Sequence, residues 1–214
     1  MRTDELINTL VGDHASQPRP KPVGHGLVMA IIGGLAISSA LFSLTLGVRP
    51  DILSALSTWR FDLKLSTNLV LVIAAAWVAL RLSSPTTTLL SAMRALIVPA
   101  LLLLAAVVYE LVTIPASAWP SRAMGVDGVM CLANIIFLSV LPLTATIYAL
   151  RRGAPTSPAV MGAVGGLIAG ALGATVFAMH CTNDSPLFVA IWYALAIGLM
   201  SMLGLVVGKH ALRW

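Results

Sequence analysis

Charge is what this chain has least of. Of its 214 residues, 13 are Lys or Arg and 8 are Asp or Glu, 10% in all. A soluble domain usually carries about 25% charged residues to cover its surface, so an ordinary water-soluble fold is excluded. Cysteine is nearly missing too, with Cys131 and Cys181 as the pair the chain holds. No CxxC and no HxxxH spacing occurs, which removes the usual signatures of zinc ribbons, thioredoxin-like redox motifs and zincins. No Asp, Glu, Lys or Arg falls near the middle of a long apolar run, and no Ser, His and Asp share one depth. Ion-coupled transport and intramembrane hydrolysis both lack their customary residues.

Apolar residues take up the space. The chain is 58% hydrophobic with a mean hydropathy of +0.95. A helix needs about 20 apolar residues to cross a hydrocarbon core of roughly 30 Å. Six runs meet or approach that length: Leu27 to Val48, Leu65 to Leu80, Ala95 to Thr113, Gly128 to Leu150, Ala159 to Met179 and Leu187 to Gly208. The first run is too long for a signal peptide and has no small-residue cleavage site, so it is read as a span. Pro99 and Pro142 predict bends inside two spans. The predicted fold class is an all-α membrane protein, a six-transmembrane-helix bundle preceded by a short amphipathic helix.

Basic residues set the expected orientation. With the N-terminus inside, Arg2, Arg19, Lys21, Arg81, Arg94, Arg151, Arg152, Lys209 and Arg213 are cytoplasmic, against Arg49, Arg60, Lys64 and Arg122 outside. Both termini are therefore expected in the cytoplasm, on the inner membrane if the cell is bacterial. The formal charge of +5 follows from this topology, and no direct nucleic-acid contact is expected.

Residues 1–24 form the predicted cytoplasmic segment and 25–214 the membrane domain. Thr3 is a candidate cap for a helix over residues 3–11 whose first turn carries Asp4 and Glu5. Leu6, Ile7, Leu10 and Val11 share one face, and Gly12 is a plausible stop. The tract QPRPKP at 17–22 favours an extended, semi-rigid spacer. The apolar face has two destinations open to it, the membrane surface or a protein partner on which the helix folds.

The topology gathers Glu110, Asp127, Cys131, His180, Cys181 and Asp184 at the outer ends of the third to sixth spans. Thiol, imidazole and carboxylate are ligand types for soft or borderline metals, so His180, Cys181, Cys131 and Asp184 form a candidate metal set for a transient ion. The cysteines admit three readings: a structural disulfide, a redox or metal sensor, or plain packing. Asp184 or Ser185 is a candidate cap for the sixth span, with Pro186 in its first turn. Gly162, Gly166 and Gly170 repeat every fourth position, as do Gly204 and Gly208, and Ala30, Gly34 and Ser38. Such faces pack helices closely, within the bundle first and across a homodimer as the second reading. Asn68 and Asn134 suit hydrogen bonds between helices.

The stretches RTDELI, WRFDLKL, LPLTATIYALRRGAPTSPAVMGAVGGLIAGALGAT and MHCTNDSPLFVAIWYALAIG resemble the NrsF family of integral-membrane negative regulators of bacterial ECF sigma factors. The resemblance extends over nearly the whole chain. It implies an anti-sigma factor whose segment Arg2 to Val11 holds the sigma factor, with Cys131 and Cys181 sensing a stress such as metal or oxidant. It implies no catalytic residue and no resident cofactor. A thiol-disulfide oxidoreductase and a small-solute transporter are the alternatives from other classes.

Overall fold

The computed structural model describes residues 3–16, 23–84, 87–153, 155 and 157–213, and the regular structure among them is entirely helical. Six helices are long and apolar enough to cross a membrane: Val23–Thr45, Trp59–Leu82, Leu89–Thr113, Gly128–Leu150, Pro158–Phe177 and Pro186–Ala211. They are the first to sixth spans, and the protein is an all-α six-helix membrane bundle. An even number of crossings puts both chain ends at one end of the bundle, the terminal end. The opposite end is the distal end.

Hydropathy alone misplaces some boundaries. The second span starts at Trp59 rather than Leu65, so Arg60, Asp62 and Lys64 are helical residues, and Lys64 is fully buried. Its charge is accepted inside the bundle because partners from other elements meet it there. The third span starts at Leu89 and passes through a tighter turn, Arg94–Leu96, just before Pro99. The fourth runs through Pro142. Proline has no N–H for the carbonyl four residues back, so the Leu138 carbonyl loses its helical donor. The Ser38 hydroxyl of the first span donates to it at 2.7 Å. Hydrocarbon offers no such donor, so this bond joins the two helices where the chain most needs one.

The fifth span is the centre of the bundle: 83% of its apolar window is buried, against 17% for the third span. Glycines at four-residue spacing give it a flat face that meets the matching face of the sixth span. A Cβ added at Gly162 would lie 2.2 Å from the Gly204 carbonyl oxygen, and one at Gly166 would lie 2.1 Å from that of Met200. Seen from the other helix, a Cβ at Gly204 would come within 2.3 Å of the Gly162 oxygen. On the side facing the fourth span, a Cβ at Gly173 would meet Ser139 Oγ at 2.1 Å. Gly34 of the first span sits against Pro142. Neighbouring helices of the same chain fill the small-residue faces.

The N-terminal helix runs from Thr3 to Ser16, longer than the sequence suggests. Gly12 is inside it and does not stop it: the positive-φ glycines among the described residues are Gly47 and Gly125, so Gly12 keeps helical backbone. Thr3 is itself helical and is not the cap. Asp4, Glu5, Leu6, Ile7 and Val11 are exposed, and Leu10 is helical. Arg2 and the predicted spacer at 17–22 lie outside the described residues.

Gly166→Ala should push the fifth and sixth spans apart and lower stability by about 1–3 kcal/mol, the usual range for overpacking. Gly33→Ala, which meets nothing within 4 Å, should leave it unchanged. Thermal unfolding of the two variants in detergent checks the pair.

Candidate functional site

The turn between the fifth and sixth spans, residues 177–187, is tied to every span at the distal end. The fifth span ends as the Cys181 amide donates back to the Phe177 carbonyl. From the first span, Gly47 adopts φ +72 and lets the chain turn, so that the Arg49 amide donates to the Met179 carbonyl at 3.0 Å. A non-glycine residue would be strained there. The Arg49 guanidinium then reaches inward. It pairs with Asp51 through two nitrogens at 2.7 and 2.8 Å and with Asp184 at 2.8 Å, and donates to the Cys181 carbonyl at 3.1 Å.

From the second span, Lys64 arrives under the same carbonyl. Its Nζ pairs with Asp184 Oδ1 and donates to the carbonyls of Cys181 at 3.0 Å and Asn183 at 3.4 Å. Three acceptors use all three ammonium hydrogens. The aromatic faces of Phe61 and Tyr193 lie 5.5 and 5.9 Å from Nζ. A π-helical turn, Val189–Tyr193, sets Tyr193 within the sixth span.

The third span contributes Glu110, also fully buried. Its Oε2 accepts from Ser185 Oγ at 2.7 Å and from the Leu187 amide at 3.0 Å, while Oε1 faces Arg60 at 3.8 Å. A carboxylate from another helix thus satisfies the start of the sixth span, where free amides favour negative charge. This corrects the expectation of a local cap: Ser185 holds the cap position but makes no side-chain cap bond, and Asp184 is engaged by Lys64 and Arg49.

The fourth span contributes Cys131. Its Sγ lies 3.6 Å from Cys181 Sγ, and both thiols are free and buried. Cys181 Sγ is also 3.7 Å from the Asn183 carbonyl. The Cys131 thiol within hydrogen-bond reach, with the Lys64 charge beside it, pulls the Cys181 thiol below its ordinary value against the opposing effect of burial. That shift favours the thiolate, which is the nucleophilic form. At the rim, the Arg49 pair holds Asp51 down at about 2 and raises Arg49 above its ordinary value. A half-open cavity of about 850 Å³ leads from the distal surface to the thiols, past Arg49, Asp127, Met130 and His180.

The four-residue metal set is not assembled among the described residues, where no three His, Cys, Asp or Glu side chains converge on an ion position. His180 turns away, with Nδ1 2.9 Å from the Gly47 carbonyl and its ring against Phe42 and Phe177. Asp184 is held by its two cations, which leaves the thiols as the one close pair of the set. Sequence reasoning placed Arg49 and Lys64 in a loop and missed their role. The available signal was helical spacing in WRFDLKL, which puts Arg60 and Lys64 on one face with Phe61 beside them.

Fold and site together define a polytopic membrane protein whose distal turn holds two close, buried thiols beside an ion-paired lock. The family profile described as "Negative regulator of sigma F" matches residues 10–214. The chain is 31% identical over 218 residues to the anti-sigma-F factor NrsF of Caulobacter vibrioides. It is 28% identical over 214 residues to the probable anti-sigma-F factor NrsF of Azospira oryzae, and both matches cover 100% of each chain. No solved structure matches it. The chain belongs to the NrsF family of anti-sigma factors.

Three outcomes test the lock. Alkylation of Cys181 in a Cys131→Ser background should rise with pH and level off at a lower pH than for an ordinary thiol. Lys64→Met should move that rise to higher pH, because the charge that favours the thiolate is gone. Asp184→Asn leaves Lys64 buried without its carboxylate and should cost about 3 kcal/mol of stability, the lower end for a broken buried pair. Thermal unfolding in detergent measures it.

Proposed function

We propose that this anti-sigma factor holds an ECF sigma factor at the cytoplasmic face of a bacterial inner membrane and releases it when its thiol pair changes state. On this reading the terminal end faces the cytoplasm, as nine basic residues against four favour. The observation that carries the docking claim is the N-terminal helix Thr3–Ser16. Its Leu6, Ile7 and Val11 are exposed side chains on a helix with an acidic first turn. An exposed apolar face on a short helix is what a groove in a partner recognises. Asp4 and Glu5 gain nothing from anionic lipid, which argues against the membrane surface as the destination. The sigma-binding set is Arg2, Thr3, Asp4, Glu5, Leu6, Ile7, Leu10 and Val11.

The thiol pair supplies the switch. A peroxide-class oxidant takes the Cys181 thiolate to the sulfenic acid and leaves as alkoxide or hydroxide. The Cys131 thiol then condenses with it, forming the disulfide and releasing water. The sulfurs need to close from 3.6 Å to about 2.05 Å, which draws the fourth span and the turn together. A thiophilic metal ion bridging the two sulfurs would bias the same contact. Because the fifth and sixth spans meet backbone to backbone, they move as a unit between the turn and the terminal end. Shifting a partner from 99% bound to 99% free needs a difference of about 5.5 kcal/mol between the two states.

Deleting residues 2–11 should abolish co-purification of the sigma factor while the bundle keeps its unfolding temperature. Cys131→Ser with Cys181→Ser should retain the sigma factor but no longer release it on peroxide treatment of membranes. Sigma binding by the truncated chain would defeat the docking claim, and peroxide release from the serine variant would defeat the switch.

A further inference from the structure

The terminal end of the bundle carries charge of one sign. Within residues 23–213, all five acids (Asp51, Asp62, Glu110, Asp127 and Asp184) belong to the distal half, whereas Arg81, Arg94, Arg151, Arg152, Lys209 and Arg213 stand at the terminal end. All four ion pairs among the described residues are distal. Arg152 is exposed, and its described side-chain contact is the face of Tyr148, 5.8 Å from the guanidinium carbon. It has no carboxylate partner among the described residues.

Arg152 stands at the mouth of a cavity of about 360 Å³ between the first and fourth spans. His25 stands across from it on the first span. Behind this cationic mouth the lining is apolar, with Gly26 and Ala30 on one helix and Ala145 and Ala149 on the other. Met29 and Tyr148 wall it and are 56% and 65% exposed, so the cavity opens sideways along the outer surface of the bundle. It closes where Gly34 meets Pro142. Gly26 to Gly34 is eight helical residues, or about 12 Å along the axis, the upper part of one leaflet.

A cationic mouth at headgroup depth, opening into an apolar groove that faces the hydrocarbon, matches an amphiphile of opposite charge. We infer that this groove binds one anionic phospholipid, its phosphodiester against Arg152 and His25 and an acyl chain along Gly26, Ala30, Ala145 and Ala149. A free phosphate would leave the apolar floor uncovered, and a zwitterionic lipid would leave the positive excess unmatched. Basic pockets between helices take anionic headgroups by this same complementarity. The site is independent of the thiols and of the docking claim.

The test is native mass spectrometry of the full chain, exchanged from detergent micelles holding equal amounts of phosphatidylglycerol and chain-matched phosphatidylcholine. One phosphatidylglycerol should be retained in preference to phosphatidylcholine. Arg152→Gln should reduce that retention about fivefold, the effect of one basic residue near a membrane surface. Ala30→Leu keeps Arg152 and His25 and fills the groove, and it too should lose the lipid. Arg81→Gln with Arg94→Gln should leave it bound. Equal retention of the two lipids by the wild type, or undiminished retention by both Arg152→Gln and Ala30→Leu, overturns the site. An equal loss in Arg81→Gln with Arg94→Gln also overturns it, since general positive charge would then suffice. If phosphatidylglycerol binds only after residues 2–16 are removed, the groove is the seat of the N-terminal helix and the proposal fails.

Discussion

Inside hydrocarbon, apolar side chains gain nothing by leaving the lipid for one another, so a helix bundle has to be held by contact closeness and by polar groups without other partners. Here that constraint falls on the fifth and sixth spans. Gly162, Gly166, Gly204 and Gly208 clear side chains from the middle of the contact, where each backbone packs into the other. The fifth span can then sit at the centre with neighbours on all sides. Small residues on its other faces admit the fourth span at Ser139 and at Leu150. Ser38 closes the first span onto the Leu138 carbonyl that Pro142 leaves bare. The third span, which lacks such contacts, stays at the periphery, with Ala92 packed into the core at one end and Glu110 bonded to the turn at the other.

The second constraint is electrostatic. A buried ammonium is tolerated only when its charge is balanced and its hydrogens are accepted, and Lys64 meets both conditions through Asp184 and two backbone carbonyls. Arg49 balances Asp51 and shares Asp184, so the two cations and two carboxylates cancel. The Cys181 sulfur sits where two cations already point at its own carbonyl, which favours its thiolate form. The chemistry of the sulfur and the stability of the turn thus rest on the same side chains.

Much of this was readable beforehand, and the reasons separate cleanly. Bilayer thickness fixes how long an apolar run must be, so all six spans were visible, and four-residue glycine spacing marked the close faces. Two cysteines near one level followed from counting crossings, and the structure brings their sulfurs to 3.6 Å. The start of the second span was only partly readable: helical spacing puts Arg60 and Lys64 on one face, but three charges look like a loop until Asp184 and Glu110 arrive from elsewhere in the chain. The direction of His180 was hidden for a similar reason: the Gly47 carbonyl that holds it lies 133 residues earlier. The extent of the N-terminal helix past Gly12 reflects a tolerance of about 1 kcal/mol for a mid-helix glycine, too small a cost to end a helix by itself.

One consequence concerns noise. Within eleven residues, Phe177 to Leu187, the chain is fastened to the first span through Arg49, the second through Lys64, the third through Glu110 and the fourth through Cys131. It continues directly into the fifth and sixth. A thermal excursion of any single helix is therefore resisted by five others gripping the same short segment, and a random fluctuation is averaged away before it travels. An event at the sulfur itself acts at the point all six share. On the switch proposed above, a hub of this kind would act as a threshold device, silent to small disturbances and committed once the shared point gives way.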